Sequence, residues 1–195
     1  EKFPDVKAVL EGAKFILMER FTENADLMAE LRAYFNRNAL LYSTVVAGKE
    51  EAGAKFRDYF EHQDKLSAIP SHRALAMFRG RKEDVLQLSI DVDYDKALAH
   101  PCEAIIARHS GVEQQGRAAD SWLNEVVRWT WAIKLKMRIE LELFSALHES
   151  AELEAIRVFG RNLKDLLLAA PAGQRATIGL DPGLRTGVKI AVIDN

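Results

Sequence analysis

One acidic side chain in this sequence stands where it could bind a metal ion. Asp181 ends a short apolar run, and Pro182-Gly183 form a turn before a second apolar run begins. Cleavage of a phosphodiester by two metal ions needs several carboxylates around one point, because the metals must bind both the attacking and the leaving oxygen. If the two runs pair as strands, the nearest other acid, Asp194, lies about seven residues away, roughly 20 Å. Asp194 therefore cannot share a metal ion with Asp181, and we predict no catalytic residue.

Basic side chains at two places could contact the phosphates of a nucleic acid. The denser cluster lies beside a predicted helix start at Ser71 and consists of Arg73, Arg79, Arg81 and Lys82. Arginines next to the free N–H groups of a helix N-terminus can hold a phosphate. Arg185 and Lys189 flank the acidic turn and form the second candidate contact. Glu83 and Asp84 follow the first cluster directly, so its cations could instead form intramolecular salt bridges or a solvated face. The alternative interpretation of the second contact is a solvated turn.

The histidines and the single cysteine lack the spacing of a metal site. His100, Cys102 and His109 are close in sequence, but a tetrahedral zinc site needs a fourth ligand at matching spacing. Ser71 and His72 are adjacent, so their side chains diverge on a helix and do not form a catalytic dyad. We predict no metal and no cofactor for this chain.

Composition limits the function classes. The 195 residues are 48% hydrophobic and 29% charged, which is ordinary for a globular domain. The net charge of −2 excludes a global basic field, so nucleic-acid binding would depend on a local patch. The one cysteine suits a reducing cytosol, and no apolar run approaches the ~20 residues that span a bilayer, so we expect a cytoplasmic location. The first residue is not methionine and the last follows a strand-like run, so we expect a piece of a longer protein.

Apolar residues recur at helical spacing through most of the chain, which predicts a mainly α multi-helix domain with one short strand. The predicted helices cover residues 5–20, 25–37, 47–61, 71–80, 118–148 and 150–170, and the predicted strand covers 85–92. Ser71 and Ser150 are the predicted N-caps, and Gly80 is the predicted end of the short helix. The strand needs a pairing partner nearby.

Segment 118–148 carries two adjacent apolar stripes. One consists of Trp122, Val126, Trp129, Ile133, Met137, Phe144 and Leu147, and the other of Leu123, Val127, Trp131, Leu135, Ile139 and Leu143. Together they are wider than the roughly 100° face of an ordinary surface helix. They predict a central helix that is packed on two sides, with its tryptophans in the core.

The apolar period changes from 3.6 to 2 after Pro171. Residues 177–181 and 187–194 predict two strands around the Pro-Gly turn. We place a domain boundary at this change, which gives a helical domain over 1–173 and a truncated hairpin over 174–195. The second strand is apolar on both faces, as in the centre of a sheet, so the hairpin alone is predicted to fray or to pair with another chain.

Four segments in order resemble the Tex family of bacterial transcription accessory proteins. They are residues 55–60 (KFRDYF), 69–80 (IPSHRALAMFRG), 155–168 (AIRVFGRNLKDLLL) and 181–187 (DPGLRTG). The resemblance covers about residues 52–195, and the last segment is similar to the first hairpin of a YqgF-type ribonuclease H-like domain.

The resemblance implies a cytoplasmic protein that binds RNA or DNA in transcription, of which this chain is the helical scaffold part. Two alternatives remain open: part of a resolvase-like, Mg²⁺-dependent nuclease, and a protein-interaction scaffold of the transcription machinery. The resemblance makes Asp181 the only candidate for a vestigial metal-site carboxylate. Magnesium would belong to the intact protein, because the other acids of a ribonuclease H-like site come from later elements. No membrane partner is implied.

Overall fold

The computed structural model describes residues 5–171, 173–183 and 187–194. The helices are α1 (Val6–Thr22), α2 (Ala25–Asn38), α3 (Ser71–Lys82), α4 (Pro101–His109), α5 (Asp120–Trp129) and α6 (Lys136–Leu167), with a 3-10 helix at Ala54–Tyr59 and a π-helical segment at Thr130–Leu135. The strands are β1 (Ala39–Val45), β2 (Glu61–Lys65), β3 (Leu86–Val92), β4 (Thr177–Pro182) and β5 (Val188–Ile193). The predicted mainly α fold with small β elements is confirmed.

The chain forms two compact units that divide between Ala155 and Ile156. The first contains the helices and strands up to that point in α6. The second contains the end of α6 and the hairpin of β4 and β5. The domain boundary predicted near residue 174 falls inside the second unit and stays a prediction.

Three antiparallel strands in the order β2-β1-β3 form the sheet of the first unit. Leu41 on β1 lies opposite Ile90 on β3 and Asp64 on β2. The strand predicted over 85–92 is confirmed as β3, and β1 is the partner that it required. On the outer edge of β3, the backbone N–H of Ile90 donates to Glu140 Oε1 of α6 at 3.0 Å, so a side chain satisfies this backbone group of the edge.

The first unit has one apolar core to which most of its elements contribute. Its large, fully buried side chains are Met18, Leu27, Leu31, Phe35, Leu41, Met77, Ile90, Ile106, Leu135 and Ile139. Helices α1 and α2 both begin at side-chain caps, with Asp5 accepting from the N–H of Ala8 at 2.7 Å and Asn24 from that of Leu27 at 3.0 Å. Each cap satisfies an N–H that has no partner within the helix. Both helices were predicted from their periodicity, and both are confirmed.

The helix predicted over 47–61 is wrong. Within it the chain forms the 3-10 helix and then enters β2. Gly48 takes a φ of +80°, and a Cβ on Gly53 would lie 2.2 Å from Cγ1 of Val85. The first glycine therefore turns the chain and the second lets it pass close to Val85. Phe56 is buried, although the residues around it form turns and a 3-10 helix and not an α-helix.

Both ends of α3 differ from the prediction. Pro70 is the N-cap residue, and Ser71 is the first helical residue, so Ser71 makes no capping bond. The helix continues past Gly80, and the left-handed residue beyond its end is Asp84, with a φ of +54°. Gly80 is buried, and a Cβ there would lie 2.5 Å from Cδ1 of Leu86. This glycine serves the close packing of α3 on β3 and does not end the helix.

The helix predicted over 118–148 does not stop before Ser150. The Ser150 hydroxyl donates to the carbonyl of Leu147 at 3.0 Å within α6, so it is not an N-cap. Helix α5, the π-helical segment and α6 follow one another without interruption from Asp120 to Leu167. The predicted fifth and sixth helices are therefore one.

The π-helical segment changes which apolar residues face the core. The second predicted stripe is buried at Val127, Trp131, Leu135, Ile139 and Leu143. In the first stripe, Trp129, Ile133 and Met137 are 38%, 48% and 63% exposed, so the prediction that they lie in the core is wrong. A π turn contains more residues than an α turn, and the extra residue rotates the side chains that follow it.

In the second unit, β4 and β5 form the predicted antiparallel hairpin, with Thr177 opposite Ile193. Apolar residues on both of its faces are more than half exposed: Ile178, Leu180, Val188, Ile190, Val192 and Ile193. The predicted fraying or pairing of this hairpin stays a prediction.

Among the described residues, no helix combines the length and the apolar character that crossing a lipid bilayer requires.

Candidate nucleic-acid interface and metal position

Helix α3 separates the predicted basic cluster into two groups. Arg73 lies in its first turn, whereas Arg79, Arg81 and Lys82 lie in its last turn. Six residues of helix separate Arg73 from Arg79, which is about 9 Å along the axis. The expectation that the whole cluster surrounds the helix N-terminus is therefore wrong. The three cations of the last turn lie where the helix dipole favours positive charge.

Arg73 is held by an ion pair with β2. Its Nη1 donates to both carboxylate oxygens of Asp64, at 3.0 and 2.9 Å, and Nε2 of His62 lies 2.9 Å from the same carboxylate. Burial alone would raise the pKa of Asp64, but the hydrogen bonds with His62 and Arg73 outweigh it and lower the pKa. Because this guanidinium holds β2 and α3 together, a phosphate would have to compete with Asp64 for it.

The cations at the other end of α3 are more accessible. Arg79 pairs with Glu83 at 3.1 Å, and Lys55 from the 3-10 helix reaches the same carboxylate at 2.5 Å. The guanidinium of Arg81 lies 4.7 Å from the ring centre of Phe144. Lys82 makes no ion pair with any residue that the structure describes. Lys55 was missed by sequence reasoning, because it lies 24 residues before Arg79 in a different element and nothing in the sequence signals that it joins this group.

A cleft of about 490 Å³ opens beside these cations. Its walls are formed by the 3-10 helix and α3, and they include Lys55, Phe56, Tyr59, His72, Leu75 and Arg79. The cleft combines aromatic rings with two cationic side chains. Such a surface can contact both the bases and the phosphates of a nucleic acid.

Asp181 is exposed on the hairpin and faces a cation. It lies opposite Lys189 in the strand register, with 3.9 Å between its Oδ2 and the lysine Nζ. Asp194 lies past the far end of the ladder, about 17 Å from Asp181 along the strand. Arg185, the other predicted phosphate contact, falls outside the described residues. One carboxylate beside a lysine does not fit a magnesium site, because the ion needs several oxygen ligands and the ammonium group repels it.

The histidines near Cys102 do not converge. His100 contacts Asp91, whereas His109 contacts Glu30 at 2.6 Å. Cys102 is buried, and burial raises the pKa of its thiol well above the ordinary value. Across the described ranges, no group of three potential ligands lies close enough to hold a metal ion.

Sequence reasoning missed a buried polar network centred on Asp91. The carboxylate accepts hydrogen bonds from Nε2 of His100 at 2.9 Å, Nζ of Lys136 at 2.8 Å and the N–H of Val92 at 2.8 Å. Burial alone would raise the pKa of Asp91, but His100 and Lys136 hold it far below its ordinary value. Nδ1 of His100 accepts from the N–H of Cys102 at 3.1 Å, so His100 is also the N-cap of α4.

A sequence signal for α4 was present. A polar residue followed by proline is a typical helix start, since proline at the first helical position loses no hydrogen bond. His100-Pro101 has this form. The contacts with Asp91 and Lys136 had no such signal, because the three residues come from different elements.

The fold and these contacts define a mainly helical protein with a small antiparallel sheet. A family model described as "Tex central region-like" matches residues 1–159. The chain belongs to the Tex family. This confirms the resemblance found in the sequence.

Three relatives illustrate the family. The chain is 61% identical to Protein YhgF of Escherichia coli K12, with 97% of this chain and 25% of the relative covered. It is 48% identical to the transcriptional accessory protein Tex of Neisseria gonorrhoeae, with 100% and 26% covered. It is 44% identical to the human S1 RNA-binding domain-containing protein 1, with 97% and 20% covered. The chain thus spans about a fifth to a quarter of the length of these curated relatives.

Proposed function

We propose that this chain is the helical scaffold of a nucleic-acid-binding transcription accessory protein, and that the last turn of α3 contributes to nucleic-acid contact. The nucleic acid is RNA or DNA. The proposal extends to this chain what the names of two relatives say. The relative from Neisseria gonorrhoeae is named a transcriptional accessory protein, and the human relative is named for an S1 RNA-binding domain. It includes a cytoplasmic location and no cofactor for this part of the protein.

The observation that carries the proposal is the local excess of positive charge at that end of α3. Lys55 and Arg79 meet there at Glu83, and Arg81 and Lys82 lie in the same last turn of α3. The neighbouring acids are Glu83, Asp84 and Asp58, and Asp58 lines the same cleft as Lys55 and Arg79. The helix dipole accounts for cations in the last turn of α3. It does not account for Lys55, which belongs to a different element and adds to the same surface.

A protein-interaction scaffold is the second candidate, and α1 favours it. This helix exposes Val6, Val9, Phe15 and Ile16, each more than half accessible, while it buries Lys14. An apolar surface of this kind is typical of contact with another protein or domain. The nuclease alternative has weaker support, because Asp181 has a lysine and not a second acid beside it.

The test uses an intact family member that carries this chain. Replacing Arg79, Arg81 and Lys82 by alanine should weaken binding of a labelled single-stranded oligonucleotide and flatten the dependence of log Kd on log salt by about two. Fluorescence anisotropy over a series of salt concentrations measures both quantities. The matched control replaces Lys7, Arg20 and Arg37, three cations on α1 and α2, and should leave the slope unchanged. If the α3 variant keeps the wild-type slope, its last turn makes no phosphate contact.

A further inference from the structure

A second cleft, on a different part of the first unit, combines cations with aromatic side chains. Its volume is about 470 Å³, and its walls come from the loop before α4, the first turn of α4 and the long helix around the π-helical segment. Clefts of this size commonly hold small ligands. π-Helical turns inside longer helices occur frequently at functional sites. The α3 surface described above uses none of these residues.

Two cations from the long helix line this cleft with a small residue between them. They are Arg128 and Lys136, and Ala132 lies between them in the sequence and also lines the cleft. The methyl group of Ala132 leaves space that a longer side chain would fill. The cleft is therefore open next to Ala132, and a cationic side chain lies on either side of that position.

Lys136 is held in place before any ligand arrives. Its Nζ donates to Asp91 at 2.8 Å, and Asp91 is fixed in turn by His100. The ammonium group has three protons, so this bond leaves others for a ligand. A cation that is already ordered loses less conformational entropy on binding.

Arg128 is free to reach into the cleft. Its side chain is 67% exposed, and the ion-pair contact that it makes is a distant one, 3.9 Å from its Nε to Glu103. That distance is too long for a hydrogen bond. The donors of its guanidinium group are therefore available to an anion.

Tyr94 supplies an aromatic surface at the same cleft. Nζ of Lys96 lies 3.9 Å from the centre of its ring, and the ring centres of Tyr94 and His100 lie 4.6 Å apart in a T-shaped arrangement. Lys96 adds a cation next to those that line the cleft, Arg128 and Lys136. The neighbouring carboxylates are Asp91, Glu103 and Asp95, and Asp95 accepts from the N–H of the lining residue Ala97 at 2.9 Å.

We propose that this cleft binds one nucleotide of a single-stranded nucleic acid, with its phosphate between Arg128 and Lys136 and its base against Tyr94. The inference rests on the proposed function and adds a second contact to it, on a different surface from α3. Cations select the phosphate, and an aromatic ring stacks on a base of any sequence. The site therefore binds without sequence preference.

The test measures binding of a fluorescein-labelled U12 RNA to the full 195-residue chain by anisotropy. Replacing the exposed Ala132 by glutamate places a larger, negatively charged side chain in the cleft, where it would repel a phosphate. Arg128→Ala removes one proposed phosphate contact. Each should raise the Kd by about tenfold, the effect of one charge-assisted hydrogen bond. Arg138→Ala, an exposed cation ten residues beyond Arg128 on the same long helix, is the matched control and should change the Kd by less than about twofold. Circular dichroism checks that all variants fold.

The outcomes separate this site from the α3 surface. If Ala132→Glu and Arg128→Ala both bind U12 with wild-type affinity, the cleft does not bind the nucleic acid and this inference is wrong. The proposed function still stands in that case if the variant that lacks Arg79, Arg81 and Lys82 binds nucleic acid weakly. The inference is also wrong if the chain does not bind U12 but binds a labelled polyglutamate peptide through Arg128. The cleft would then be a contact for an acidic protein. Selective loss in the two cleft variants, with Arg138→Ala unaffected, supports the site.

Discussion

The two compact units differ in how they dispose of their apolar residues. The first buries large side chains from helices and strands in one core. Both carboxylate oxygens of its charged Asp91 accept hydrogen bonds from other groups of this unit. The second has an intact strand ladder, but Leu180 and Ile190 on its hairpin are both 64% exposed. Pairing of the backbone therefore does not by itself produce a core. Three or more strands, or a covering helix, are normally required for that.

The largest expected effect breaks the buried network of the first unit. Asp91→Asn removes the charge that pairs with Lys136 and leaves the ammonium group partly buried without a counter-charge. We expect a loss of about 3 kcal/mol in the free energy of unfolding. Asp181→Asn is the same chemical change in the exposed hairpin and should cost less than about 0.5 kcal/mol. Urea unfolding followed by circular dichroism compares the two, and equal losses would contradict the distinction between the units.

The same network makes a prediction about acid. The pKa of Asp91 is lower in the folded protein than its unfolded value of about 3.9. Its contribution to stability is therefore fully present above that value and is lost as the pH falls below about 4 toward the folded pKa. The difference in stability between wild type and Asp91→Asn should be constant from pH 7 to about pH 5 and shrink below pH 4. A difference that grows on acidification would exclude this linkage.

A pair of leucines sharpens the comparison for apolar contacts. Leu41 is fully buried on β1, so Leu41→Ala removes buried methyl groups and leaves a cavity, at a cost of about 2–4 kcal/mol. Leu180 on β4 is 64% exposed, and Leu180→Ala should cost less than about 0.5 kcal/mol. Urea midpoints at matched protein concentration measure both. A large loss at Leu180 would show that the hairpin is covered in solution, for example by a second copy of the chain.

Two helical glycines give the smallest and most specific test. Gly80 is packed against Leu86, where an added Cβ would lie 2.5 Å from Cδ1, so Gly80→Ala should destabilise by about 1–3 kcal/mol. Gly160 in α6 has no atom within 4 Å of its added Cβ, so Gly160→Ala should stabilise by up to about 1 kcal/mol. Thermal melting of the two variants should move in opposite directions. A loss at both positions would mean that Gly160 is packed against a partner.

The sequence by itself determined the elements whose stability depends on a long local pattern. Helices α1 and α2, strand β3 and the final hairpin follow from apolar spacing, because each must bury or pair one repeating face. The family was also recognisable from sequence, since four ordered segments together are far more specific than any one of them. Asp181 was correctly placed on the hairpin without a neighbouring acid.

Only the tertiary structure determined the conformation of segments whose contacts with residues distant in the sequence compete with their local helical or turn preference. The segment 47–61 has a helical pattern, but it forms turns and the 3-10 helix, with Gly53 packed close to Val85. Gly80 lies inside α3 and not at its end, and Leu86 packs against it. The site depends on the same kind of non-local contact. Lys55 and Arg79 meet at Glu83, and His100 and Lys136 meet at Asp91, although these residues are far apart in the chain. Periodicity describes which face of an element is apolar, but which charged groups meet depends on how the elements pack.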